Sequence, residues 1–438
     1  MKILGVVLLG YGRMGKAAHS AFKEIAGKLE GKGIQIRVLA ILDSDRRLIK
    51  SLKTADGPKA FLVPENGFTP IPISVILRRE VGLNPQDSFL VYDATRSATH
   101  YDHLDDICEN FPSAIYVGEK PIFTEASQLK ALEKFPGRIF CNLVESQNEA
   151  TLKLRELQAH GMRFHRLRFW RINSVALLKV FAGQKRVGIT EGALLDKSIH
   201  DLALTSMLLH NQGALLSDAL VEEAVNLAYM PHAAGPAEAF SALRTEGAMD
   251  VAGFAKLNWL TPSTMQTEFS YGWVGVGRFD DLCADAGKPR LRGLLSAYGL
   301  EESKWLFRAM VDGGENGSFE QQESRILVAE GSQYGKQVDL VVNFLRRPDI
   351  RPFVFDAGKQ EFLELGHHEH GINSLARVFQ AILQSSAEKR DECSPYGTEI
   401  IREIHSACFA IRERALSVDL ASDENSESHE SCLQPIAQ

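Results

Sequence analysis

The sequence predicts an α/β chain: a doubly wound parallel sheet at the N-terminal end, then an α+β domain with a large open, mostly antiparallel sheet. Three observations predict it. Short β-rich apolar runs alternate with helical patterns up to about residue 150, the signature of parallel strands joined by crossover helices. The string LLGYGRMG (8–15) sets three glycines between the first apolar run and the first helical pattern. Beyond residue 150 the alternation is lost, and strand-like and helical stretches follow one another less regularly.

Taken in order, residues 3–9 form a short apolar run that fits a buried parallel strand. A helical pattern runs from about Arg13 to Leu29 and stops at GKG (31–33). IQIRVLAILD (34–43) is the next strand, ending on Asp43. From Asp43 to Asp87 the pattern is poor and loop-rich. FLVYDAT (89–95) reads as a strand ahead of a helix near SATHYDHL. AIYVGEKP (114–121) is strand then turn, with a helix from TEASQLKALEKF that Thr124 caps. RIFCNLVE (138–145) is one more strand.

In the second part RFHRLRFWRI (163–172) and KQVDLVVNFL (336–345) look like sheet strands, and 192–212 and 214–229 look helical. Helices at about 373–385 and 395–416 close the fold. The division is therefore 1–148, 149–416 and a tail over 417–438. That tail carries five acids and no Lys or Arg, and reads as disordered.

Bulk properties narrow the function. At 438 residues the chain exceeds one ordinary core, so two domains are natural. Apolar residues make up 45%, charged residues 24%, and the net charge is −7. No basic excess exists to neutralise phosphates, so no nucleic-acid partner is expected. Cys108, Cys141, Cys283, Cys393, Cys408 and Cys432 are scattered without a CxxC. That pattern predicts free thiols in a reducing compartment, with no disulfide framework and no zinc site. No run approaches a membrane span. The apolar part of MKILGVVLLGYGRMGK is too short for a signal peptide and is followed by Arg13 and Lys16. A cytoplasmic protein is the expectation.

LLGYGRMG supplies G-x-G-x-x-G directly after a strand and at the start of a helix. Gly10 allows the tight turn, Gly12 lets the backbone approach a pyrophosphate, and Gly15 permits close helix–strand contact. The helix N-terminus offers N–H donors to phosphate. Gly10, Tyr11, Gly12, Arg13, Met14 and Gly15 are thus candidate dinucleotide-binding residues of a Rossmann domain. Asp43 ends the second strand, where a carboxylate meets the adenosine ribose hydroxyls and favours NAD. Its alternative is a plain strand-end cap, and Arg46 and Arg47 close by leave NADP open.

GEKP (118–121) places Lys120 at the carboxyl end of a parallel strand, where ligands of such sheets bind. Pro121 biases Lys120 away from helical geometry. In GALLDKSIHD (192–201), Asp196 and His200 are four apart and share one helix face. Locally, a cap and a satisfied buried histidine is a readier reading than a catalytic pair.

LLGYGRMG, DATRSATHYDHL, GEKPIFTEASQLKAL and GALLDKSIHDLAL occur in the order seen in the Gfo/Idh/MocA oxidoreductases, the glucose–fructose oxidoreductase and inositol dehydrogenase family. The chain resembles that family over about residues 1–210, and in general layout beyond. The resemblance implies NAD(P) as cofactor and a polyol or sugar-like small molecule as substrate. It also implies a second-domain sheet that often forms an oligomer interface, hence a homodimer or homotetramer. It matches Lys120 to the lysine of the EKP motif, with Glu119 beside it, near nicotinamide and substrate. Asp196 and His200 match the family's aspartate and histidine, and Thr95 and His100 its cofactor-side loop.

Oxidising a secondary alcohol requires removing the hydroxyl proton as hydride leaves carbon. His200, with an ordinary pKa of about 6.5, is assigned as base, Lys120 as electrostatic partner and Asp196 as orienter; the roles of His200 and Lys120 are exchangeable. Three departures from the family stand out. Arg96 replaces a proline, Ala203 stands where the family often has an aspartate, and NLVESQNEA (142–150) has Ser146 and Gln147 where an arginine is common. They point to a divergent substrate.

GHHEHG (366–371) tempts a metal reading, but adjacent histidines diverge and no second cluster accompanies them, so no metal is expected. RFHRLRFWRI reads as a strand with one solvated face, and FLRRPDIRPF (344–353) as a charged turn. Two other function classes remain beside the dehydrogenase. One is a glycosidase or lyase of the same fold that oxidises its substrate transiently with bound NAD. The other is a non-catalytic cofactor-binding regulator, which would be expected to lose Lys120, Asp196 and His200.

Overall fold

The structure, a computed structural model, describes residues 2–31, 33–52, 58–63, 71–172, 192–227, 252–259, 265–272, 324–345, 352–365, 374–384 and 396–418. The first sheet contains β1 (Lys2–Leu9), β2 (Ile34–Asp43), β3 (Lys59–Leu62), β4 (Phe89–Asp93), β5 (Ile115–Gly118) and β6 (Ile139–Cys141), all parallel, in the order β3-β2-β1-β4-β5-β6. Every residue of β4 and β5 is buried, which is why these strands read as unbroken apolar runs. Strand order reverses between β1 and β4, and the crevice at their carboxyl ends is where such sheets bind ligands.

Helix α1 (Arg13–Glu30) buries Ala18, Ala21, Phe22, Ile25 and Leu29 at helical spacing. The stretch from Asp43 to Asp87 is more ordered than its pattern suggested. It holds α2 (Arg46–Leu52), the edge strand β3, and α3 (Ile73–Ile76) running into a π turn over Leu77–Val81. β3 buries only Ala60, so it carries no apolar run to detect. Helix α4 (Ser97–Asn110) follows β4. After β5 a 3-10 turn (Ala126–Lys130) leads into the short α5 (Ala131–Lys134). Its start is capped from inside rather than by Thr124: the Gln128 amide oxygen accepts the N–H groups of Thr124 (2.9 Å) and Glu125 (3.3 Å).

After α6 (Glu149–Ala159) comes the second sheet, whose described strands are β7 (Met162–Ile172), β8 (Leu220–Leu227), β9 (Ala252–Trp259), β10 (Met265–Gly272), β11 (Ser324–Gln333), β12 (Lys336–Asn343), β13 (Phe353–Asp356), β14 (Glu361–Leu363) and β15 (Leu416–Val418). Their order is β14-β13-β12-β11-β7-β10-β9-β8-β15. Pairing is antiparallel except for β7 with β10 and β8 with β15. Two expectations are corrected here. The segment 214–229 is not helical: residues 216–218 make a 3-10 turn and β8 pairs with β9 from Leu220 to Leu227, so tertiary pairing overrides the helical preference of Glu222, Glu223 and Ala224. Ser417 and Val418, placed in the tail, complete β15 against β8; residues 419–438 lie outside the described residues.

Helix α7 (Ile199–His210), preceded by a π turn over Leu194–Ser198, is buried on every side from Ile199 to Leu209 except at His200. It lies against β7, α6 and α9 (Thr398–Arg414). Helix α8 (Ser374–Gln384) returns to the first sheet, stacking Phe379 on Phe22 of α1 with ring centroids 4.1 Å apart. The last two helices match the sequence expectation. Cys108, Cys141 and Cys408 are free and buried; the other three cysteines and GHHEHG lie outside the described residues. No helix among the described residues is long and apolar enough to cross a membrane.

Candidate active site

The glycine turn is built by contacts that exclude side chains. Gly10 has φ +75°, and a Cβ on it would lie 2.7 Å from the backbone of Ala94, across the sheet at the end of β4. A Cβ on Gly15 would lie 2.0 Å from the carbonyl oxygen of Gly10. The turn is pinned to β2, because Gly10 N–H donates to Leu42 O at 2.8 Å. Helix α1 starts at Gly12 with no side-chain cap and no acid in its first turn. Its first N–H donors therefore face the crevice without a competing carboxylate, the arrangement that binds an anion. Arg13 is exposed and Met14 half-buried at the same turn.

Asp43 reaches this turn from the end of β2. Its Oδ2 accepts the N–H of Tyr11 at 2.5 Å and its Oδ1 that of Asp45 at 2.7 Å. Arg46 and Arg47 are exposed just beyond. Next along the crevice is buried Asp93, at the end of β4. It accepts Thr95 Oγ1–H (2.5 Å), Thr95 N–H (2.9 Å), Tyr116 O–H (2.7 Å) and His103 Nδ1–H (2.8 Å). Burial pushes the Asp93 carboxyl up, but His103 and His100 outweigh it and hold the group well below its usual range. Asp93 in turn raises His103 against its own burial. His100 Nδ1 donates to Pro121 O at 2.8 Å, and its buried Nε2 has no hydrogen-bond partner among the described residues.

The residues after β5 face two ways. Oε1 of Glu119 accepts from Tyr92 O–H and from Asn142 Nδ2 at 2.6 Å, which braces the strand ends. Lys120, joined to Pro121 by a cis peptide, crosses to the π turn before α7. There its Nζ donates to Asp196 Oδ1 and to Asp196 O, both at 2.5 Å. The pair lies 76 residues apart in sequence. π turns recur at functional sites because the extra residue re-aims side chains, and here it presents Asp196 to Lys120.

His200, one turn on, has a buried Nδ1 without a partner among the described residues. Burial keeps its imidazole well below its ordinary pKa, and Lys120, Arg171 and Arg325 reinforce that against Glu145. Asp196 is half-buried; desolvation pushes its carboxyl up, yet Lys120 and Lys197 hold it well below its usual range. The three residues singled out in GEKP and GALLDKSIHD thus form one group.

Sequence reading missed the charges beneath that group. Glu145 accepts both Nη atoms of Arg171 (2.7 and 2.5 Å) and Arg325 Nη1 (2.9 Å). Arg171 also grips Asp201 through Nε (2.9 Å to each oxygen) and Nη2 (2.6 Å). Burial, with Glu145 beside it, lifts Asp201 to about 6 against Arg171. The solvated-face reading of RFHRLRFWRI holds at Arg163 and His165, which are exposed, and is corrected from Arg168 to Arg171. β7 runs between β10 and β11, Arg168 and Arg171 are buried, and Arg166 and Arg168 pair with Glu268 and Glu330. An arginine-rich strand flanked by Phe169 and Trp170 was the available signal. Lys197 was also passed over; its Nζ lies 2.7 Å from Asp196 Oδ2.

A dinucleotide fits this crevice: the cradle at Gly10 and Gly15 has room only for backbone, and helix α1 starts there with no side-chain cap and no acid in its first turn. Comparison with known proteins gives no match to any protein-family model and none to a curated protein sequence. Solved structures do match. UDP-N-acetylglucosamine 3-dehydrogenase GnnA from Acidithiobacillus ferrooxidans is similar with TM-score 0.56 and 14% identity, over 95% of this chain and 98% of that one. The 3-ketoreductase KijD10 from Actinomadura kijaniata in complex with NADP is similar with TM-score 0.59 and 14% identity, over 95% and 99%. Its open conformation with TDP-benzene and NADP gives the same figures. At that identity the likeness establishes the shared architecture, a Rossmann-type parallel sheet followed by a second, mostly antiparallel one.

Proposed function

We propose that the chain is an NAD(P)-dependent oxidoreductase of the Gfo/Idh/MocA type, acting on a secondary alcohol or ketone of a sugar derivative. The observation that carries this is Lys120, held by Asp196 across from the dinucleotide cradle, with a neutral His200 beside it. The architecture shared with a sugar-nucleotide dehydrogenase and a ketoreductase supports it, and makes sugar nucleotides the first substrates to try.

Gly10, Gly12, Gly15 and the α1 N-terminus would hold the pyrophosphate, Asp43 the adenosine ribose, and Thr95, His100 and Lys120 would border the nicotinamide. The nicotinamide, when bound, supplies or accepts the hydride. The chain supplies the proton. Burial and three nearby cations oppose a charge on His200, so a proton left on it is costly. Lys120 is the better placed acid: its ammonium gives a proton to the carbonyl oxygen during reduction and recovers it during oxidation, while His200 hydrogen-bonds the same oxygen and stays neutral. Asp196 aims Lys120, and the Glu145–Arg171–Asp201 cluster fixes the floor. This takes the exchanged assignment of His200 and Lys120 rather than the one that the family resemblance and an ordinary histidine pKa favoured. Asp43 meets a ribose hydroxyl better than a 2′-phosphate, so NAD is preferred, with Arg46 and Arg47 able to admit NADP.

The test is turnover of a panel of sugar nucleotides, sugars and cyclitols with NAD and NADP, read as reduced nucleotide. Lys120→Ala should lower kcat about a hundred- to ten-thousand-fold while nucleotide affinity stays near wild type. Activity of Lys120→Ala within a few-fold of wild type would refute the assignment, as would no turnover across the panel.

A further inference from the structure

Lys197 has no part in the reading above, yet it lies inside the site. Its side chain is 11% exposed, and its Nζ holds Oδ2 of the carboxylate whose Oδ1 holds Lys120. One half-buried carboxylate therefore bridges two ammonium groups at 2.5 and 2.7 Å. A single ion pair would suffice to orient Lys120, so the second cation calls for a role.

That role follows from proton balance. When hydride reaches the carbonyl carbon, the oxygen takes a proton from Lys120, which is left a neutral amine. Asp196 then loses one positive partner while still half-buried, and an uncompensated charge largely withdrawn from water is costly. With Lys197 on Oδ2 the carboxylate stays paired through that step.

Other charges on the elements packed around the π turn are already engaged. On β7, Arg171 is held by Glu145 and Asp201; on β10, Glu268 is held by Arg166; on α9, Glu403 accepts Ser206 Oγ–H and His405 Nδ1 donates to Ile401 O. The groups that act on Lys197 are Asp196, Lys120 and Arg325.

We propose that Lys197 is a positioning residue for the reaction: it fixes the Asp196 carboxylate and keeps it paired while Lys120 gives up its proton. The inference rests on the oxidoreductase reading. It agrees with the titration of Lys197, which burial lowers to about 8, with Lys120 and Arg325 adding to burial and Asp196 opposing it.

Two measurements test it. Turnover of Lys197→Met should show kcat lower by about ten- to a hundredfold at unchanged KM, one to two decades being the effect of one neighbouring charge. Lys197→Arg should restore kcat and carry it to higher pH than wild type, whose kcat falls above about 8 as Lys197 loses its charge, because a guanidinium does not titrate there. The second measurement needs no substrate: competitive acetylation of Lys120 by acetic anhydride in the whole protein, read by peptide mass spectrometry. Lys120 should react about tenfold more slowly in Lys197→Met than in wild type, because Asp196, shared with Lys197 in wild type, is then left to hold the Lys120 ammonium alone. Labelling of Lys120 that is unchanged or faster in Lys197→Met overturns the inference, as does a kcat equal to wild type. No turnover by wild type overturns the oxidoreductase reading instead, and the labelling separates the two failures.

Discussion

Glu145→Gln removes one negative charge from beneath the site while keeping shape and volume. In the folded protein Glu145 accepts three hydrogen bonds from two guanidinium groups, at 2.7, 2.5 and 2.9 Å. Burial works against its ionisation, but Arg171 and Arg325 hold it below the usual carboxylate range. A glutamine keeps one acceptor oxygen and turns an N–H₂ toward the other guanidinium N–H. At least one charge-assisted bond is lost, about 1.5–3 kcal/mol, and buried positive charge is left undercompensated. Breaking a buried ion pair from one side costs about 3–5 kcal/mol, and we take that range for the variant. An unfolding entropy of about 2.1 cal/mol/K per residue over the roughly 280 described residues is about 0.59 kcal/mol/K, so the loss appears as a Tm lower by about 5–8 °C. Differential scanning calorimetry of both proteins at pH 7.5 measures it. A drop below about 1 °C would refute the view that Glu145 is the counter-charge of Arg171 and Arg325.

The other predictions concern the cradle and the Asp93 network. Gly15→Ala puts a methyl 2.0 Å from Gly10 O, a backbone clash no rotamer relieves, and should weaken NADH binding by at least about tenfold in a fluorescence titration; unchanged affinity would show that the turn is not the dinucleotide site. Asp93→Asn removes a depressed carboxylate and the partner that raises His103. The depressed carboxylate stabilises above its unfolded pKa of about 3.9, and the raised imidazole below its own of about 6.5, losing its share as pH rises through the folded value. The Tm difference between wild type and Asp93→Asn should therefore peak between about pH 4 and 6.5 and shrink above that; a difference independent of pH would rule out the ion pair.

Much of this was legible in the chain itself. β1, the glycine turn and α1 are contiguous, so apolar run, G-x-G-x-x-G and 3.6-residue spacing are local signals of local structure. The same holds for β4, β5 and helices α8 and α9. Lys120, Asp196 and His200 were visible as motif residues, each standing in a short string whose chemistry is unusual for its setting. β3 and β8 were not legible, the first because an edge strand buries almost nothing, the second because its Glu and Ala residues favour a helix until β9 supplies partners.

The underlying ion network escaped for a different reason. Glu145 and Arg171 are 26 residues apart, and Glu145 and Arg325 are 180 apart; no spacing rule joins them. By itself the sequence determined the class of fold, the glycine turn after β1 and the candidate site side chains, because each depends on residues near one another in the chain. Only the tertiary structure decided how those side chains are charged. Packing α7 against β7 places His200 among three cations, lifts Asp201 and sets two ammoniums on Asp196. Proton affinity depends on burial and on charges within a few ångströms, and only folding brings them together.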